Sequence, residues 1–470
     1  MNAGEFDVVV IGGGPGGHKA AICAAKAGKS VAIVERDARI GGACVHRGTI
    51  PSKALREAAV EISRFVARAK ELGVELPSEL KFAHVRGHLD RVIDTHVGCL
   101  ADQLARNGIT RFHGHASFRD PFTIDVRSPA GLVRELQAGI VVIATGSRPR
   151  QPPGIDIDHE HVLDSDSVLG MEYLPASMTI LGGGVIASEY ASILATLGVA
   201  VTMVDRAERP LAFLDADLSH GFVAAFTAMG GRYLGGRTMR SVAIDGPGRT
   251  TTTLDDGTAI ASEKVLVALG RLPATGALGL ATAGIVVDKH GRIPVDANCR
   301  TAVQHVYAVG DVIGSPSLAS CATDQGRRAM MHALGLGDAT ASGIVPVGIF
   351  TVPELASVGD TEAQVRERLG DAIVGVAKFS EIARGQIAGD TDGMLKLVAD
   401  PTGERLLGVG IVGEGATELV HLGQLVLLGS GRVRELVDHV FNFPTLAEAY
   451  RVAALDVLGQ ARRRTHDHAA

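Results

Sequence analysis

Twice in this chain a short run of strand-forming apolar residues breaks into three consecutive glycines and continues as an alanine-rich stretch. The first copy is residues 6–11, then Gly12-Gly13-Gly14-Pro15-Gly16-Gly17, helical sequence to about residue 27, and a second strand over 30–34 that ends at Glu35. The second copy is residues 178–180, then Gly182-Gly183-Gly184-Val185-Ile186-Ala187, helical sequence to about residue 197, and a strand over 200–204 that ends at Asp205. A repeated strand–turn–helix–strand unit predicts parallel α/β sheets, one for each copy.

Each glycine in such a turn has a separate job. Gly12 permits the tight bend, Gly14 lets the backbone approach a pyrophosphate, and Gly17 lets helix and strand close on one another, with the helix N-terminus facing the anion. Gly182 and Gly184 repeat the first two roles, and Ala187 takes the third position, which the pattern allows. Glu35 stands 18 residues after Gly17 and Asp205 stands 18 after Ala187, close to the about 20 at which an acidic side chain meets a ribose hydroxyl. Two dinucleotide sites in one chain imply electron transfer between the two bound molecules.

At 470 residues the chain exceeds one ordinary hydrophobic core, and its length predicts about three domains. A hydrophobic fraction of 46% with 21% charged residues describes a folded globular protein. The net charge of -6, without a long basic block, argues against nucleic acid or an anionic membrane surface as partner and for a small diffusing substrate. Cys23, Cys44, Cys99, Cys299 and Cys321 lack CxxC spacing, so no metal site and no secreted disulfide framework is expected. Neither a signal peptide nor a membrane span is expected, and the cytoplasm is the predicted location.

Residues 141–149 run from a strand through Thr145 and Gly146 to a proline, and residues 265–273 echo them through Gly270, Arg271 and Pro273. Such strand-to-turn exits mark where a chain leaves one domain for another. The expected layout is a discontinuous first nucleotide domain (1–149 and 274–344), a second inserted in it (150–273), and a third domain over 345–470 with helices at 418–428 and 445–458. The tail 462–470 is expected to be frayed.

The segment from Gly41 to Lys53, GGACVHRGTIPSK, resembles the active-site segment of the pyridine nucleotide-disulfide oxidoreductases, as do Tyr307-Ala308-Val309-Gly310-Asp311 and Phe443-Pro444-Thr445 with Glu448. The resemblance covers nearly the whole chain. It implies two Rossmann-like domains followed by a C-terminal α+β dimerisation domain, a glutathione reductase-like α/β fold, and a homodimer or higher homo-oligomer. It implies FAD in the first unit, held by Gly12, Gly14, Gly17, Glu35, Arg36, Gly42, Ala43, Cys44, Thr49, Ala116, Thr145, Gly146, Gly310 and Asp311. NAD(H) or NADP(H) would lie in the second, on Gly182, Gly184, Ala187, Asp205, Arg206 and Gly270. It also pairs Lys53 with Glu189 beside the flavin, as the catalytic residues.

Two departures redirect the chemistry. The family pattern places a second cysteine five residues after the first, and here that residue is Thr49; the acid-base histidine before Pro-Thr is Phe443, which cannot titrate. Thiolate and proton partner are missing together, which disfavours disulfide substrates. The segments GTIPSKALREA, GDVIGSPSLAS, LAFLD and FNFPTLAEAYRVAAL resemble the soluble, Si-specific pyridine nucleotide transhydrogenases, which implies NADPH + NAD⁺ ⇌ NADP⁺ + NADH. A quinone reductase or diaphorase of the same fold is the alternative, and a non-catalytic redox sensor a more distant one. Cys44 reads either as a thiolate touching the flavin or as a small packed side chain, and His439 as structural. Asp205 beside Arg206 offers a carboxylate for a free 2′-hydroxyl and a guanidinium for a 2′-phosphate, and Arg209 reads equally as a phosphate ligand or a surface residue.

Overall fold

A computed structural model describes residues 4–74, 82–337, 343–429 and 431–469. Its first sheet has seven strands, built around Glu5–Ile11, Val31–Glu35 and Val133–Ile143. The valine-rich Glu5–Ile11 lies between the other two, parallel to both, and its middle residues are fully buried. That placement accounts for a continuous apolar run where a half-exposed strand would alternate. Val306–Ala308, far along the chain, returns to this sheet and pairs parallel with Val133–Ile143. Helix Ala319–Ala333, which follows it, lies against helix Pro15–Lys26 so closely that a side chain at Gly326 would collide with the Gly16 carbonyl.

The second sheet is parallel, in the order Arg232–Leu234, Ala200–Val204, Ser177–Leu181, Lys264–Val267, Val162–Asp164. A three-stranded antiparallel sheet, Met239–Gly246, Arg249–Leu254 and Ala259–Ser262, follows its edge strand in the chain. The outgoing Ser147–Pro149 and the returning Arg271–Pro273 pair with each other, so the two crossings between the sheets form one ribbon.

Residues beyond 345 build a five-stranded antiparallel sheet covered by Ala416–Leu428 and Glu448–Ala469. The last helix departs from expectation at both ends. It starts at Glu448 because a turn in which the Thr445 hydroxyl donates to the Asn442 carbonyl (2.7 Å) precedes it. It also continues through the polar tail to Ala469, where fraying was expected, because Ala461 packs on the core of this sheet and Arg464 pairs with Asp371 at 2.5 Å. Among the described residues no helix is long and apolar enough to cross a membrane.

Candidate functional site

The C-terminal ends of the parallel strands in the first two sheets open onto one continuous cleft of about 1500 Å³, the side on which α/β sheets take their ligands. In the first turn Gly12 has φ +105°, and a side chain there would collide with the Ala144 carbonyl; only glycine fits. Helix Pro15–Lys26 begins at Gly14 without a side-chain cap, so its first N–H groups stay free for an anion. Gly17 and Ala187 do not line the cleft: a side chain at Gly17 would strike the Gly12 carbonyl, and Ala187 is fully buried. Both act through packing.

Glu35 ends its strand at the cleft wall, accepting from the Gly13 N–H (2.8 Å) and the Asp37 N–H (3.0 Å). Arg36, Gly42, Ala43, Cys44, Thr49, Ala116, Thr145 and Gly146 line the same half of the cleft, as do Gly310 and Asp311. The Thr145 hydroxyl is buried without a hydrogen-bond partner. Helix Ala319–Ala333, also uncapped, brings a second N-terminus to this half. Two free helix ends, an orphaned hydroxyl and a fixed carboxylate fit the pyrophosphate, polyol and ribose groups of FAD. Asp311 accepts from the Ser147 hydroxyl (2.6 Å), which in turn accepts from Arg271 (2.9 Å), and Arg271 pairs with Asp166 at 2.8 Å. This chain of contacts ties the two-stranded ribbon to the first half of the cleft. Asp166 carried no motif to reveal it in the sequence, and Arg271 stood out there only as part of the domain-exit turn.

The second half repeats the first. Gly182 has φ +118°, helix Val185–Thr196 begins uncapped at Gly184, and Asp205, Arg206 and Gly270 line the wall. Arg209 does not take part. Its guanidinium donates to the carbonyls of Ala212 and Leu214 (both 3.0 Å) and to the Ser219 hydroxyl (2.8 Å), which settles it as a loop brace. Arg237, which sequence reasoning missed, lines the cleft beside Asp205 and Arg206.

Where the halves meet, Lys53 on helix Thr49–Glu71 pairs with Glu189 at 2.6 Å. Glu189 is only 4% exposed and also accepts from the Phe350 N–H (2.9 Å), while the Lys53 ammonium sits 4.9 Å from the Phe350 ring centroid. Three separate stretches of chain therefore fix one charge pair, and Phe350 had no sequence signal. Cys44 is a free cysteine, like the other four. Burial pushes its thiol pKa up, more than the Thr49 hydrogen bond and the Lys53 charge pull it down. A raised pKa favours the thiol over the thiolate, which supports the packed side chain over a nucleophile. Phe443 is 69% exposed and does not line the cleft of its own chain, and the His439 ring bonds the Glu435 carbonyl (2.8 Å).

Residues 6–326 match the pyridine nucleotide-disulphide oxidoreductase family and residues 345–454 its dimerisation domain. The chain belongs to this family. Relatives within it include the soluble pyridine nucleotide transhydrogenase of Mycobacterium bovis, 44% identical over 97% of this chain and 98% of the relative. Those of Hahella chejuensis and Pseudomonas putida are 41% and 40% identical, each over 97% of this chain and 99% of the relative. Among solved structures, LpdA from Mycobacterium tuberculosis superposes with a TM-score of 0.89 at 27% identity, over 96% of this chain and 99% of that one. The HOCl-induced flavoprotein disulfide reductase RclA from Escherichia coli gives 0.87 at 27%, with the same coverage. This member keeps the family's fold, with the free Cys44 in the cleft and Thr49 five residues after it.

Proposed function

We propose that this protein is an FAD-dependent transhydrogenase catalysing NADPH + NAD⁺ ⇌ NADP⁺ + NADH, with no sulfur relay. The observation that carries the reading is Cys44 without a second cysteine, Thr49 standing five residues after it, in a cleft that keeps both glycine turns and the Lys53–Glu189 pair. Residues 1–149 with 274–344 are assigned to FAD, 150–273 to the nicotinamide dinucleotide and 345–470 to a homodimer contact, in a cytoplasmic enzyme.

When bound, FAD would supply the two-electron acceptor for hydride transfer between nicotinamides. The chain's own residues do the rest. Gly12, Gly14 and Gly310–Asp311 would bind and orient FAD, with Glu35 as the acceptor for its ribose. Gly182, Gly184 and Asp205 would hold the dinucleotide, with Arg206 as the cation for a 2′-phosphate. Lys53 places a positive charge where negative charge develops on reduction, and Glu189 holds that ammonium in position. The pair is worth more as electrostatic machinery than as a source of stability, since a desolvated ion pair contributes little on its own. Reduction of thionicotinamide-NAD⁺ by NADPH, set against menadione under one set of conditions, tests the assignment. Fast menadione turnover with negligible transfer to the nucleotide would make the protein a quinone reductase.

A further inference from the structure

The transhydrogenase reading requires one site to accept a dinucleotide with or without a 2′-phosphate, and the structure supplies a device for it. We propose that Arg237, braced by the aspartates of the 254–258 hairpin turn, is a second 2′-phosphate ligand whose built-in counter-ions keep the site open to the unphosphorylated cofactor. The proposal rests on that reading and concerns a residue for which no motif speaks.

Strands Ala200–Val204 and Arg232–Leu234 run parallel, with Val204 opposite Leu234. Past their ends the two segments stay joined: the Asp205 N–H donates to the Leu234 carbonyl (3.1 Å), and the Arg237 N–H donates to the Asp205 carbonyl (2.9 Å). Arg237 therefore starts beside the carboxylate read as the ribose ligand, and it lines the cleft with Asp205 and Arg206. Its guanidinium forms an ion pair with Asp256 and lies 3.9 Å from Asp255. The hairpin turn is itself held by Arg237's neighbour, since the Asp255 N–H donates to the Thr238 carbonyl (2.9 Å) and the Thr238 N–H to the Asp255 carboxylate (3.3 Å). Arg237 is still 40% exposed, so part of the guanidinium remains available. Among the described residues Arg206 makes no ion pair.

A 2′-phosphate brings about −1.5 to −2 charges at neutral pH next to the carboxylate of Asp205. Arg206 alone cannot offset both. A guanidinium has five N–H donors in a planar fork and can bond a carboxylate on one edge and a phosphate on another. With only a 2′-hydroxyl present, Arg237 stays paired with Asp256 beside Asp255, so its guanidinium adds no unpaired positive charge to the site, and Asp205 keeps its hydroxyl partner.

The test is direct binding of 2′,5′-ADP and of 5′-AMP to the flavin-loaded protein by calorimetry. Arg237→Gln should weaken 2′,5′-ADP about tenfold or more while leaving 5′-AMP within about twofold, which also certifies the fold. Asp256→Asn should tighten 2′,5′-ADP and leave 5′-AMP unchanged. Unaltered 2′,5′-ADP affinity in Arg237→Gln, or an equal loss for both ligands, overturns the assignment. Because these are binding measurements, either result holds whether or not the protein transfers hydride between nucleotides.

Discussion

Lys53 and Glu189 show how a single contact can organise a site. The carboxylate is buried, accepts one backbone N–H and faces one ammonium, so removing the ammonium leaves a desolvated charge without its counter-ion. Lys53→Met should lower the rate of flavin reduction by NADPH about 10²-fold or more, with flavin content unchanged; stopped-flow absorbance measures both. Cys44 makes the opposite prediction. Because burial raises its pKa, the thiol should alkylate slowly at neutral pH, and Cys44→Ser should retain transhydrogenation within about threefold. Inactivation by Cys44→Ser would mean that sulfur takes part. At this scale the sequence was legible where a residue's job is imposed by the backbone: Gly12 and Gly182 stand at positive φ against a carbonyl, as their spacing implied. It was illegible where the job depends on what a distant segment brings. Arg209 stands near Asp205 in the sequence and Arg237 does not, yet the fold ties the first to loop carbonyls and turns the second to the cleft.

Elements meet at a buried cation that no motif announced. Lys396, 1% exposed on strand Met394–Ala399, donates to Asp217 (2.6 Å) and Glu362 (2.7 Å) and lies 3.5 Å from Asp215. It joins the five-stranded antiparallel sheet to the N-terminus of helix Ala216–Ala228. Burial opposes the charge on Lys396, yet its two hydrogen-bonded carboxylates hold its pKa above the ordinary value. Burial likewise pushes Glu362 up, and the Lys396 and Arg366 bonds outweigh it to leave a lowered pKa. The Glu362 contribution is therefore present above its ordinary pKa and lost as pH falls below it; the Lys396 contribution is lost only as pH rises past its own raised value. Lys396→Met should cost toward the lower end of about 3–5 kcal/mol, since Asp217 is half exposed, and should flatten the acid limb of denaturant midpoint against pH. An unchanged acid limb would show that the tie contributes nothing. The glycine turns and their flanking strands were readable because their patterns are local. The helical tail was not, because Arg464 finds Asp371 only once strand Ile373–Lys378 lies alongside the last helix.

For the molecule as a whole, the last domain leaves Leu425, Val440, Phe443 and Leu455 exposed, Val440 to 91%. In the homodimer we propose, a second copy covers such residues, so light scattering should give twice the chain mass and Leu455→Asp should shift it toward one chain. The central claim concerns the route of electrons, and one measurement addresses it directly. The protein is reduced anaerobically with one equivalent of NADPH, its thiols are counted after denaturation, and NAD⁺ is added to a second portion. The account predicts five thiols before and after reduction, one for each free cysteine, and NADH formed in step with reoxidation of the flavin. A gain of two thiols on reduction, or flavin that NAD⁺ leaves reduced and a disulfide reoxidises, would contradict it.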